Sequence, residues 1–142
     1  MVRINLIEPK YLSDQHLRAE HVEILMLLSH CKKYNETTVI PDKFTLGKGH
    51  INFFKDKLIY IFNRLLEVRH EMRERDFNIN TEFPQFEPYK IEQFKSWQPQ
   101  DDDLAIIKDR IIERIAKKPQ WYKYYGDCYD FADWYKMIAE AR

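Results

Sequence analysis

Ile51-Asn52-Phe53-Phe54-Lys55-Asp56-Lys57-Leu58-Ile59-Tyr60-Ile61-Phe62-Asn63-Arg64-Leu65-Leu66-Glu67-Val68-Arg69-His70-Glu71-Met72 is the stretch that decides the fold class. Ile51, Phe54, Leu58, Ile61, Leu65, Val68 and Met72 recur at intervals that alternate between three and four residues. Side chains so spaced fall on one face of an α-helix. The stripe predicts a long central helix over about 50–75 with that face in the core. Arg64, Arg69, Glu71 and Arg75 decorate its other faces.

Working outward, the same logic predicts a helix over 14–34, capped by Ser13 or Asp14, with Leu17, Ile24, Leu28 and Cys31 inward. A connector with Pro41 and the run Leu46-Gly47-Lys48-Gly49-His50 joins the two. Residues 76–100 carry Pro84, Pro88 and Pro99 and several aromatics, the composition of an irregular aromatic loop. Helix resumes over 101–118. Asp101, Asp102 and Asp103 suit the positive end of its dipole, Lys117 and Lys118 the negative end, and Pro119 stops it. Leu104, Ile107, Ile111 and Ile115 form its buried side. A tail over 127–142 fits a short amphipathic helix with Phe131, Trp134, Tyr135 and Ile138 inward. The expected fold is all-α: a compact single-domain bundle over 1–142, with an acidic C-terminal extension from about 127.

Composition narrows the class. The 142 residues hold 15% aromatics, enough for a real core, and only 3 Gly and 6 Pro, too few for the turns of a sandwich or barrel. Cys31 and Cys128 lack metal or redox spacing and read as free thiols of a reducing compartment. Polar residues by position 5 argue against a signal peptide, and no apolar run spans a membrane. A cytoplasmic protein is expected. Net charge is zero, which argues against a uniformly basic surface, yet the charge is segregated. Residues 104–125 hold six basic and two acidic groups, whereas 76–103 hold two and seven.

Several constellations carry chemistry. An α-amino group titrates near 8, so a chain terminus offers a nucleophilic amine at neutral pH without burial. A nearby carboxylate stabilises the cation that develops. Glu23 is such a carboxylate, and His16, seven residues earlier, shares its helical face, which His30 extends. The plain alternative is a solvated surface glutamate. His16, His21, His30, His50 and His70 form no metal signature, and most read as structural or surface histidines. Gly47-Lys48-Gly49-His50 either cradles a phosphate or makes a two-glycine turn; it lacks the Walker pattern. Trp121-Tyr122-Lys123-Tyr124-Tyr125 either stacks on bases or seals the core.

Taken in order, several blocks are more specific. They are Met1-x-Arg-Ile-Asn-Leu, Asp14-Gln15-His16-Leu17-x-Ala19-Glu20 with Glu23, and Leu46-Gly-x-Gly-His50 followed by Phe53-Phe54-x-Asp56-Lys57-Leu58. Phe77-Asn78-Ile79 and Pro119-x-Trp121-Tyr-Lys-Tyr-Tyr-Gly126 complete the set. From residue 1 to about 126 the chain resembles the phage-type pyrimidine-dimer DNA glycosylase/AP lyase, or endonuclease V, family. The resemblance implies an all-α enzyme that binds damaged double-stranded DNA as a monomer, uses no cofactor or metal, and flips a base out of the stack. It implies removal of Met1, attack by the Val2 amine on the sugar, a Schiff base and β-elimination, with Glu23 as the catalytic carboxylate. Arg3, Gln15 and His16 would surround the lesion. Lys33, Arg110, Arg114 and Lys123 would face DNA, and Trp121 and Tyr122 would position DNA or pack the terminus. Family members carry arginines where this chain has Val22 and Met26. A non-catalytic DNA- or protein-binding module on the same fold is the alternative.

Overall fold

The computed structural model describes residues 2–142. Met1, whose removal the resemblance implies, lies outside the described residues. Among those described, the elements are α1 (Asp14–Cys31), α2 (His50–Phe54), α3 (Leu58–Glu74), α4 (Asp101–Lys117), a hairpin of β1 (Lys123–Tyr124) and β2 (Asp127–Cys128), and α5 (Phe131–Glu140). The chain is all-α apart from that hairpin. No helix among the described residues is long and apolar enough to cross a membrane.

The starts of α1 and α4 have local causes. Ser13 caps α1: its hydroxyl accepts the His16 N–H. At α4, the Asp103 carboxylate reaches back to the Gln100 N–H at 2.9 Å. α1 packs on α3, and Leu17, Ile24, Leu28 and Cys31 of the first and Leu58, Ile61, Leu65 and Val68 of the second are all buried in one core. Ile107, Ile111 and Ile115 complete the inner face of α4, and Leu104 is only half-buried.

The stripe over 50–75 is divided. α2 ends at Phe54, and α3 starts at Leu58 after Lys57 leaves helical geometry (φ −122°, ψ 44°). The break is made by the aromatic loop. Gln93 Nε2 donates to the Lys55 carbonyl at 2.9 Å, taking an acceptor that a continuous helix would use, and Lys57 pairs with Phe94 in an isolated bridge. The apolar register survives because Phe54 and Leu58 both remain buried.

The tail also differs. Trp134 and Ile138 are fully buried, but Phe131 and Tyr135 are exposed and pair with each other on the outside at 6.4 Å between ring centroids. The apolar face of α5 is therefore narrower than the pattern of four inward residues. Residues 127–142 pack on α4, and the Arg142 carbonyl accepts the Glu8 N–H at 2.6 Å, which ties the C-terminal end to the N-terminal segment.

That N-terminal segment positions the site. Val2, Ile4, Leu6 and Ile7 are buried, yet among the described residues no strand pairs with them. Buried backbone groups must find partners, and side chains of other elements supply them. The Ile4 N–H donates to His50 Nε2 at 3.0 Å, and the Asn5 N–H to Glu20 Oε1 at 3.0 Å. Arg64 Nη1 donates to the Leu6 and Ile7 carbonyls. Farther along, Arg75 donates to the carbonyls of Leu12, Pro9 and Lys10. Buried Glu20 is held in turn by Arg64, with Nε to Oε2 at 2.6 Å and Nη2 to Oε1 at 3.0 Å.

Candidate active site

A cavity of about 250 Å³ opens where the N-terminal segment, α1, α4 and the segment before β1 meet. Arg3 and Asn5 come from the first, and His16, Ala19 and Glu23 from α1. Arg110, Ile111 and Arg114 come from α4, and Tyr122 closes the remaining wall. Spacings of three, four and seven put 16, 19 and 23 on one line of α1, and 110 and 114 are one turn apart on α4. Val2 and Ile4 turn into the core while Arg3 and Asn5 reach the cavity, the alternation of an extended chain.

Glu23 is the one carboxylic acid on this wall. Burial, and then the neighbouring carboxylate of Glu20, raise its pKa to about 7, against the pull of the Arg3 charge and a hydrogen bond from the Arg3 backbone N–H. That hydrogen bond places the carboxyl one residue from the Val2 nitrogen. His16 is driven the other way, to about 4, by burial and by the charges of Arg110, Arg114 and Arg3. It is therefore neutral near pH 7. Its ring lies parallel to Tyr122 at 4.8 Å, and Nδ1 shares a hydrogen bond with Ser13 Oγ at 2.8 Å. Arg110 is lowered by burial and then by Arg114 beside it, the signature of crowded cations. Three guanidinium groups around one cavity are suited to an anion such as a phosphate diester.

The structure thus brings Arg3, His16, Glu23, Arg110, Arg114 and Tyr122 together, with buried Val2 next in chain to Arg3. Other residues singled out in the sequence lie outside the cavity wall. Gln15 bridges to the aromatic segment, with Nε2 donating to the Trp121 carbonyl and Oε1 accepting the Lys123 N–H, both at 2.9 Å. Trp121 is exposed and packs edge-on to Tyr122 at 5.0 Å. The Lys123 ammonium contacts Cys128 Sγ at 2.8 Å. Lys33 is exposed in the turn after α1, and His30, one face-repeat beyond Glu23, is half-buried away from the cavity. Gly47–Gly49 form a 3-10 turn into α2, with Gly47 at φ 78°. Among the described residues no group of three His, Cys, Asp or Glu gathers as a metal site.

Sequence reasoning passed over Asn5 as a wall of the site, and Glu20 and His50 as its supports. All three are buried polar residues. The available signal was Glu20, a charged residue one turn before Ile24 on the inward side of α1 and needing a buried partner.

A helical domain with a cationic cleft and an acid beside its N-terminal segment is the frame of an enzyme acting on a polyanion. The model of the pyrimidine dimer DNA glycosylase family matches residues 1–85, well over half of the chain. The chain belongs to the pyrimidine dimer DNA glycosylase family, a family of DNA repair enzymes that act on DNA. The matched region contains Val2, Arg3, Gln15, His16, Glu23 and Lys33; Arg110, Arg114, Trp121, Tyr122 and Lys123 lie beyond it.

Proposed function

We propose that this glycosylase excises pyrimidine dimers, or another damaged base, from double-stranded DNA and nicks the strand through an imine formed by its own N-terminal amine. Removal of Met1 frees the Val2 nitrogen. The amine attacks the sugar C1′, the N-glycosidic bond breaks, and its electron pair leaves with the base, which takes up a proton. The Glu23 carboxylate stabilises the cation growing on the sugar and takes the proton lost by the attacking ammonium. The C1′–O4′ bond of the adduct then breaks as O4′ takes up a proton, and the opened sugar is left joined to the Val2 nitrogen as a Schiff base. Loss of the C2′ proton then expels the 3′ phosphate, which is the lyase step.

The observation that carries this reading is the cavity wall that Glu23 shares with Arg3, the residue next in chain to Val2, where burial raises the acid to about 7 beside the nitrogen that would react. Arg3, Arg110 and Arg114 fit the phosphates flanking a flipped nucleotide, and the His16–Tyr122 stack offers a flat wall for a base. Gln15, by holding the aromatic segment, keeps Tyr122 in place. Exposed Trp121 and Lys33, with half-buried Lys123, extend the DNA-facing surface. The protein works as a monomer, in the cytoplasm of a bacterial cell or virus-infected host.

Borohydride trapping on duplexes carrying a dimer or an abasic site tests the proposal. The expected result is a covalent adduct on both, with Glu23→Gln losing the adduct on the dimer while retaining it on the abasic site. No adduct on either, from protein shown by mass to lack Met1, refutes it. A second reading, a non-catalytic module, draws on Val22 and Met26, 56% and 45% exposed beside Glu23 where phosphate-binding cations would serve an enzyme. Met1 retained throughout the population favours the module.

A further inference from the structure

We infer that His50 is a positioning residue for the N-terminal nucleophile, acting through the hydrogen bond its Nε2 accepts from the Ile4 N–H. This rests on the reading of the Val2 amine given above and adds to it a residue outside the cavity. The bond spans 46 positions of sequence at 3.0 Å and is buried at both ends. It is a hold that another element has on the segment's backbone only two residues from Val2. In an extended chain two residues span about 7 Å, so a lateral slip at Ile4 reaches the amine nearly undiminished.

The ring itself has no freedom to follow such a slip. Nδ1 is hydrogen-bonded to the Thr45 carbonyl at 2.9 Å, which fixes the proton on Nδ1 and leaves the Nε2 lone pair to accept. Phe44 and Phe54 pack edge-on against the ring at 5.3 and 5.2 Å. Burial, the leading cause, lowers the pKa of His50, and the nearby Arg3 charge acts in the same direction, so the accepting form persists. A charged ring would present N–H to N–H. The neighbouring hold, Asn5 N–H to Glu20, comes from α1 and fixes the segment against the helix that carries Glu23. His50 approaches from α2 and fixes it from a second direction. Together they hold the segment against sliding past Glu23, which is what near-attack geometry requires.

The test compares His50→Phe, which keeps an aromatic ring but has no acceptor, with His50→Gln, whose side-chain oxygen reaches about as far as Nε2. Single-turnover base release, borohydride trapping and DNA affinity are measured on mature protein, below the melting temperature of each variant. His50→Phe is expected to slow base release about 10- to 100-fold, with DNA affinity changed by less than about twofold and His50→Gln recovering most of the rate. A semisynthetic chain, joined at Cys31 and carrying an ester in place of the Ile4 amide, removes the donor without touching His50. It is expected to show the same loss even if His50→Phe does not fold. An unchanged rate in the ester chain, equal losses in Phe and Gln, or a loss confined to affinity overturns the inference. Absence of trapping in the unmodified mature protein overturns the reading of the amine itself, and so separates the two failures.

Discussion

Burial withholds the charge of Glu23 until about pH 7, well above an ordinary glutamate. Below about pH 4.5 the acid is neutral folded or unfolded. Between there and about 7 the unfolded chain ionises while the folded chain keeps its proton, so rising pH favours unfolding. Glu23→Gln removes that cost. Thermal melts should show it more stable than the unmodified chain at pH 8 and equal to it at pH 4. Activity follows the opposite course, because both the Glu23 carboxylate and a neutral amine are required. Base release should rise from pH 6 to pH 8, and a profile flat across that range would disagree with the assignment. His16 contributes no titration there, since burial, and then its neighbouring cations, hold it near 4. That His16 and Glu23 share a face was legible from their spacing. The opposite displacements of their pKa values were not, because burial, the leading cause of both, is set by the assembled fold, and the charges of Arg110 and Arg114 that add to it at His16 come from almost a hundred residues away.

Among the elements, the N-terminal segment is the unusual one, a buried strand-like stretch whose partners are side chains. Its keystone is the Glu20–Arg64 pair, both fully buried. Removing one member of such a pair leaves an uncompensated charge, and Arg64→Met should cost about 3–5 kcal/mol in denaturant unfolding. The hairpin has a comparable anchor. Asp14 accepts the N–H groups of Tyr125 and Gly126 at 3.1 and 2.8 Å, where both residues have positive φ, and Arg75 bonds to the same carboxylate. Asp14→Asn should speed amide exchange at 125 and 126 and loosen the Tyr122 wall. α1 and α4 were legible because their caps and apolar spacing are local. The break at 55–57 was not, since Gln93 and Phe94 cause it from another part of the chain. The outward turn of Phe131 and Tyr135 was also hidden, because an aromatic residue at helical spacing looks the same whether it meets the core or its neighbour.

Across the whole molecule the charges cancel, but three arginines converge on one cavity. Phosphate contacts release counterions, so affinity should fall with salt according to their number. Val22→Arg with Met26→Arg adds two cations on the same face of α1. It should steepen the salt dependence of binding to undamaged duplex by about two units of log–log slope, measured between 50 and 200 mM salt. The all-α frame was visible in the 51–72 stripe, yet the site depends on residues 3–23 meeting residues 110–122, which no single stretch encodes. The proposed chemistry turns on one atom, the Val2 nitrogen. Tandem mass spectrometry of the borohydride-trapped protein locates the attached sugar remnant directly. It is expected on the α-nitrogen of a chain beginning at Val2; a remnant on any lysine side chain, or on Met1, would overturn the proposed mechanism.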